Sequence, residues 1–214
     1  MTLSSPPWTI TTAARAEVNA MTTVRFQDAE RLERAALECG AFKACVLPVS
    51  AIVLNAEFRG ICETNQCGAY GRYWVCPPAC GDIETLMARV RACDFALFYQ
   101  TVGALEDSFD VEGMQRAKLE YSRVGQRLLR AFPDAAWHLG AGGCSLCERC
   151  TLPDGQPCRH PDKALISMEA CGVDVYNTTR NTPLKYINGQ NTVTYFGMVL
   201  FREDAYAETD GTPR

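Results

Sequence analysis

Hydrophobic and polar positions along the first half of the chain follow the period of a helix in some segments and of a strand in others. In the segment DAERLERAALECG, apolar residues recur every three or four positions between Asp28 and Gly40, which predicts a short helix capped by Asp28 and ended by Gly40. The segments AFKACVLPV and AIVLN have the apolar pattern of β-strands. A second helix is predicted in GDIETLMARVRAC, where Asp82 can cap the N-terminus.

The same alternation continues through the second half of the chain. The segment DFALFYQTV predicts a buried strand, the stretch from Val111 to Phe132 predicts a helix ended by Pro133, and AAWHLGAGG predicts a further strand. Near the C-terminus, LKYINGQNTVTYFGMVLF predicts a hairpin with Asn188 and Gly189 at its turn. The pattern predicts an α/β or α+β fold, with helices flanking a mixed sheet and two cysteine-rich loops on the connections.

Length and local composition predict one domain with two tails. A chain of 214 residues has the length of a single domain. We expect residues 1–24, which are rich in Thr, Ser, Ala and Pro, to form a flexible N-terminal extension. Residues 25–204 are predicted to form a single cysteine-rich metal-binding domain, and residues 205–214 a C-terminal tail.

The charge of the chain argues against two classes of partner. A formal net charge of −4 and a pI near 5.3 give no broad basic surface for nucleic acid. The chain has no basic amphipathic stretch and no long apolar run, so its sequence does not predict contact with a membrane. The first residues lack the basic and apolar regions of a secretory signal. We therefore expect a cytoplasmic protein with neither a nucleic-acid nor a membrane partner.

Cysteines carry the main chemical signal of this sequence, because eight of the twelve fall into two groups of four. The first cysteine group consists of Cys62, Cys67, Cys76 and Cys80. The second cysteine group consists of Cys144, Cys147, Cys150 and Cys158. Disulfides are the competing explanation, but a chain of this length with 47% hydrophobic residues can build a core without them. In a reducing compartment, grouped thiols are more often metal ligands or redox groups.

The spacing of the second group favours a 4Fe–4S cluster. Three of its cysteines recur at three-residue intervals in GGCSLCERC, and Cys158 follows after seven further residues and can complete the ligand set. Zinc is the alternative, although its commonest frameworks place two cysteine pairs far apart. In two-cluster ferredoxins the fourth cysteine serves the other cluster, so ligation across the two groups stays open.

The first group has looser spacing, with four, eight and three residues between successive cysteines, and is compatible with a second 4Fe–4S cluster. Gly68 and Gly71 would let the backbone approach such a cluster. The aromatic residues Tyr70, Tyr73 and Trp74 are expected to exclude water from it rather than to stack on a substrate. Both cysteine-rich loops are therefore predicted to be cluster-binding loops.

Three further residues are candidates for a catalytic role, although a structural role is the commoner explanation for each. His160 could ligate a metal, relay a proton or only bond the loop, and Glu169 could act as an acid or base. Cys171 could replace one of the eight ligands or be a buried thiol. His138 lies in a strand-like segment and is expected to be structural. The remaining cysteines are expected to be buried free thiols: Cys39, Cys45 and Cys93.

Several motifs in a fixed order resemble those of a known family. They are CETNQCGAYGRYWVCPP, then GGCSLCERCTLPDGQPCRHPDKALISMEACGVDV, then NGQNTVTYFGMVLF. Together they are similar to a family of predicted metal-binding, cysteine-rich domains of unknown function, and the resemblance covers most of the chain after about residue 25. It implies metal binding through these cysteines and no particular reaction.

Three functional hypotheses remain, because the chain lacks several common catalytic motifs. The chain has no phosphate-binding loop, no dinucleotide fingerprint and no HExxH helix, and its cysteine gaps differ from those of radical S-adenosylmethionine enzymes. The first hypothesis is a protein with two 4Fe–4S clusters that transfers electrons to an unidentified redox partner protein. The second is a small iron–sulfur enzyme in which one accessible cluster performs a reduction or sulfur chemistry on a small molecule. The third is a zinc-stabilised binding module.

Overall fold

The structure is a computed structural model that describes residues 24–203. The predicted tail and nearly all of the predicted N-terminal extension lie outside these residues. The strands are β1 (Lys43–Pro48), β2 (Phe95–Ala104), β3 (Trp137–Gly140), β4 (Ile166–Ser167) and β5 (Thr192–Phe201). The α-helices are α1 (Ala29–Glu38), α2 (Phe58–Glu63), α3 (Ile83–Arg91), α4 (Val111–Ala131) and α5 (Val175–Thr179). Short 3-10 helices lie at Phe26–Asp28, Val49–Ala51, Leu152–Asp154 and Glu169–Cys171.

The strands form one mixed sheet in the order β1-β2-β5-β3-β4. Strand β2 pairs antiparallel with β1 and β5, and β5 also pairs antiparallel with β3. Strands β3 and β4 pair in parallel. The predicted mixed sheet flanked by helices is confirmed, and its largely antiparallel pairing makes the fold α+β.

Strand β2 shows why the sheet is covered on both faces. Its residues Phe95, Leu97 and Tyr99 lie in one apolar core with side chains of α1 and α4. The alternate residues Ala96 and Phe98 lie in a second core with side chains of α3 and of the segment after β4. Because successive side chains of a strand point to opposite faces, an uninterrupted apolar run is what a strand buried on both faces requires.

Most of the predicted elements are confirmed, and their ends follow the predicted signals with one change. The Asp82 carboxylate accepts a 3.0 Å hydrogen bond from the Thr85 backbone N–H at the start of α3. Gly40 follows α1 in the left-handed region, with φ of +98°. At Asp28 the predicted cap is wrong in detail, because its carboxylate accepts from the backbone N–H of Arg25 rather than from α1.

Two predicted elements are wrong. The segment AIVLN is not a strand: Val49–Ala51 forms a 3-10 helix, and Leu54 makes an isolated bridge with Val173. The predicted hairpin at Asn188 and Gly189 is also absent, because only Thr192–Phe201 of that segment is a strand. One edge of this strand, β5, pairs with β2 over its whole length, and β3 pairs with the other edge only at 198–200. None of the described helices has the length and apolar character needed to cross a membrane.

Candidate metal centres

The second cysteine group lies on the connection between β3 and β4, and its four thiols line one pocket. This second-group pocket is lined by Trp74, Val75, Cys144, Leu146, Cys147, Cys150, Thr151, Cys158, Arg159, His160 and Ala164. Within the loop, the Thr151 hydroxyl donates to the Pro157 carbonyl at 2.9 Å, and the Arg159 guanidinium donates to the Arg149 carbonyl at 3.0 Å. These bonds close the loop, so that Cys158 returns to the three preceding cysteines.

The thiols of the second group also interact electrostatically. Burial raises the pKa of the Cys144 and Cys158 thiols, and the neighbouring sulfurs Cys147 and Cys150 raise both further. Ionised sulfurs in this arrangement would therefore repel one another. Metal ligation requires thiolates, and a bound cation would offset that repulsion.

The first cysteine group lies on the connection between β1 and α3, with Cys62 in α2 and the other three in the following loop. Burial, together with the charges on Cys80, Cys67 and Cys62, raises the pKa of Cys76 to about 12. Burial also raises the pKa of Cys80, to about 11, although the Arg59 guanidinium beside it acts in the opposite direction. The four sulfurs therefore share one electrostatic environment.

Compact turns hold the first-group loop in place. The Gly71 backbone N–H donates to the Pro77 carbonyl at 2.8 Å, and the Cys80 N–H donates to the Cys76 carbonyl at 3.1 Å. Gly68 and Gly71 both have φ of +68°, a region that side chains with a Cβ rarely adopt. These turns place Cys76 and Cys80 in the interior, while Cys67 stays exposed.

The two cysteine loops pack directly against each other. The Cys76 sulfur lies 3.8 Å from the Gly142 carbonyl oxygen, and a Cβ added at Gly143 would lie 2.7 Å from the Tyr73 ring. Trp74 is part of the first motif, yet it borders the second-group pocket, and its indole N–H donates to the Gln156 carbonyl at 3.2 Å. An aromatic residue of one loop thus helps to cover the pocket of the other.

Two cations and one carboxylate lie next to the first group. Arg59 donates from Nη2 to the Gly81 carbonyl at 2.8 Å and to the Ala170 carbonyl at 3.5 Å. Glu169 has a buried Oε2 with no hydrogen-bond partner among the described residues. Burial lowers the pKa of Lys118, and the negative charges of Glu169 and of nearby cysteine sulfurs act against that shift.

A groove runs from the first cysteine group to the start of β5. It has a volume of about 1310 Å³, including space open to solvent. Its wall includes Cys67, Lys118, Glu169, Tyr186 and Tyr195. We call this the first-group groove. It combines an exposed thiol, an ammonium group, a carboxylate and aromatic rings, which is the kind of mixed lining that binds small molecules.

The three predicted catalytic candidates border different features. His160 lines the second-group pocket, and Glu169 lines the first-group groove. Cys171 is fully buried beneath the first group, where burial raises its pKa well above the ordinary value and the Cys80 charge adds to the effect. The Cys171 side chain packs in the same apolar core as Cys80, and its role as a ligand or as a buried thiol stays a prediction.

The remaining predicted structural residues line neither the second-group pocket nor the first-group groove. Cys45 and Cys93 are buried free thiols as predicted, whereas Cys39 is only half-buried. His138 is buried, and its Nε2 bonds the Phe132 carbonyl oxygen at 2.9 Å.

Lys118 carried no motif signal, because its place beside the cysteines depends on how α4 packs against the sheet. A lysine on a helix surface is ordinary in sequence, and only tertiary structure distinguishes this one.

The thiols of each cysteine group match a metal site in number and kind. No three His, Cys, Asp or Glu side chains within residues 24–203 converge as a single metal ion would require. A single zinc ion binds its four sulfurs at about 2.3 Å from one centre. A 4Fe–4S cluster is also held by four thiolates, but each binds a different iron. Four thiols are present in each group, so the ligand count suits either metal site.

Comparisons with known proteins give one match. No curated protein and no solved structure matches the chain. A family described as "Predicted metal-binding protein (DUF2284)" matches residues 45–201, which is more than half of the chain and includes both cysteine groups. The chain therefore belongs to this family of predicted metal-binding proteins, as the order of its motifs led us to expect.

Proposed function

We propose that this protein binds two 4Fe–4S clusters through its eight grouped cysteines and transfers single electrons. The observation that carries the proposal is the second-group pocket, which four cysteines line together at a spacing suited to one cluster. The cluster itself would supply the one-electron chemistry. The chain's contribution would be four thiolates at each site and a surrounding apolar cover that tunes the potential.

Contact between the two loops supports electron transfer between the clusters. Val75 and Cys76 form a small apolar core, and Tyr73 and Cys144 pack against it. Members of both cysteine groups therefore belong to one packed unit. Electron tunnelling weakens steeply with distance, so clusters held by adjoining loops would exchange electrons readily. The donor and acceptor would be a redox partner protein in a reducing, cytoplasmic setting, where free thiols persist.

Metal and sulfide analysis of protein purified without oxygen tests the proposal. We expect about eight irons and about eight labile sulfides per chain, with EPR signals appearing on reduction by dithionite. Zinc without sulfide would overturn the proposal and leave a zinc-stabilised binding module. Iron and sulfide for one cluster only would show that one of the two groups has another role.

Single cysteine variants test the ligands. Cys147→Ser is expected to lose about half of the iron, because one cluster would lack a thiolate. Cys39→Ser is the matched control, since Cys39 is a half-buried thiol outside both groups. Equal iron content in the two variants would contradict the assignment of Cys147.

A second candidate function is a small iron–sulfur enzyme, which the first-group groove favours. Cys67 is the exposed member of its group and borders the groove together with Glu169. An enzyme of this kind would keep one iron open to a small molecule, so three thiolates would hold the first cluster. Cys67→Ser separates the two functions: retained iron would favour the enzyme, whereas loss of about half the iron would favour electron transfer.

A further inference from the structure

Lys118 occupies a distinctive position between the two cysteine groups. It projects from α4, and its ammonium group donates a hydrogen bond to the Ala141 carbonyl oxygen. It borders the first-group groove with Cys67, and it borders a smaller pocket with Cys144. A Cβ added at Gly142 would lie 4.0 Å from Lys118 Nζ.

The backbone that Lys118 contacts links the two groups. The Gly142 carbonyl oxygen lies 3.8 Å from the Cys76 sulfur, and two residues later the chain reaches Cys144. The ammonium group therefore lies beside the segment 141–143. Cys76 of the first group lies against this segment, and Cys144 of the second group follows it directly. No other cation of the described chain borders both the first-group groove and a pocket that contains Cys144.

Two aromatic rings flank this half-buried ammonium group. Lys118 Nζ lies 5.0 Å from the ring centroid of Tyr121 and 5.4 Å from that of Tyr195. Tyr121 is itself buried, and its hydroxyl donates to the Phe196 carbonyl at 2.8 Å. A charge in such a setting acts more strongly on its neighbours than one in water, because the local dielectric constant is lower.

We propose that Lys118 is a shared tuning residue whose positive charge favours the reduced state of the clusters at both cysteine groups. This inference rests on the proposed function. Reduction adds one electron, and hence one negative charge, to each cluster, and a nearby ammonium group stabilises that added charge. Because the same cation lies beside both groups, its removal makes both reductions less favourable.

Anchoring of the Ala141 segment is the competing role for Lys118, and three variants separate it from tuning. Lys118→Met removes the charge and the hydrogen bond, Lys118→Gln keeps a donor without the charge, and Lys118→Arg keeps both. Lys43→Met is the matched control, because Lys43 is exposed on β1 at the opposite edge of the sheet. Iron, sulfide and both midpoint potentials are measured for each, the potentials by EPR-monitored titration.

Lys118→Met and Lys118→Gln are expected to keep iron and sulfide but to lower both midpoint potentials. A tenfold less favourable reduction corresponds to about 59 mV for one electron, and we expect a shift of at least that order. Lys118→Arg and Lys43→Met should retain the wild-type potentials.

Potentials unchanged in the neutral variants, or lowered at one cluster only, would overturn the shared role while leaving the proposed function intact. Loss of iron from both neutral variants would overturn tuning in favour of anchoring. Wild-type protein without sulfide would overturn the proposed function and this inference with it.

Discussion

The contact between Gly143 and Tyr73 allows a direct test of whether the two cysteine loops depend on each other. Gly143 immediately precedes Cys144, and Tyr73 belongs to the loop of the first group. A Cβ added at Gly143 would lie 2.7 Å from Cε2 and 3.0 Å from Cδ2 of the Tyr73 ring. Carbon atoms attract at about 3.5–4.0 Å, so Gly143→Ala must move the ring by roughly 0.8 Å.

The size of the effect follows from how freely that ring can move. Overpacking a well-packed region typically destabilises a protein by about 1–3 kcal/mol. Tyr73 is only half-buried and can shift partly towards solvent, so we expect Gly143→Ala to lower the free energy of unfolding by about 1–2 kcal/mol. For a chain of this length, the unfolding temperature should fall by roughly 2–8 °C.

Thermal unfolding, followed by circular dichroism without oxygen at a fixed scan rate, measures this effect. Gly60→Ala is the matched control, because Gly60 lies in α2 beside the first group and an added Cβ would meet nothing within 4 Å. Alanine also favours a helix over glycine by about 1 kcal/mol, so this variant should unfold at the wild-type temperature or above. In a Tyr73→Ala background, Gly143→Ala should have almost no effect. An equal loss in that background, or no loss in the wild type, would refute the reasoning.

Two further predictions concern strand β5 and helix α4. Gly197→Ala should lower the unfolding temperature by several degrees, because the added Cβ would lie 2.2 Å from the hydroxyl oxygen and 2.3 Å from Cζ of buried Tyr99. Thermal unfolding measures this effect, with Gly60→Ala as the control. An unfolding temperature equal to that of the wild type would contradict the prediction. The Asp110 carboxylate accepts a 2.7 Å hydrogen bond from the Gly113 N–H, and this bond lowers its pKa. The stabilisation is therefore present at neutral pH and lost as the pH falls through the lowered pKa. Asp110→Ala should be less stable than wild type at neutral pH and match it in acid, and a difference that persists in acid would contradict this explanation.

Local sequence patterns predicted most regular elements because their signals are local. Asp82 caps α3 through a residue only three positions away. The uninterrupted apolar run of β2 is itself the sequence pattern of a strand that is buried on both faces. The failed predictions needed non-local information. Ile52 is apolar because it packs in a core, not because it pairs in a strand. Strand β5 pairs with β2 and β3, which lie far from it in the chain, and not with the segment before Thr192, and no local pattern reveals this choice.

The candidate metal centres show the same contrast between features that local sequence predicts and features that depend on tertiary packing. Spacing alone predicted that the cysteines form two groups, and each group's sulfurs do share one environment. Spacing could not reveal that Trp74 borders the pocket of the other group, or that Lys118 on α4 lies beside both. Nor could spacing reveal that His160 and Glu169, both candidates for a catalytic role, border different features. These relations arise from packing between loops that lie far apart in the chain.

Packing between the loops also explains why neither cysteine group forms an independent unit. The second-group pocket takes Trp74 and Val75 from the first-group loop, while Cys76 of the first group lies against Gly142 at the start of the second. Each loop therefore supplies part of the apolar cover of its neighbour, and such cover controls solvent access and the potential of a metal site. The sheet holds the two connections together, since the second-group loop joins β3 to β4 and the first-group loop follows β1 and leads through α3 to β2. A change in one loop should consequently alter the metal site of the other, even where no ligand is touched.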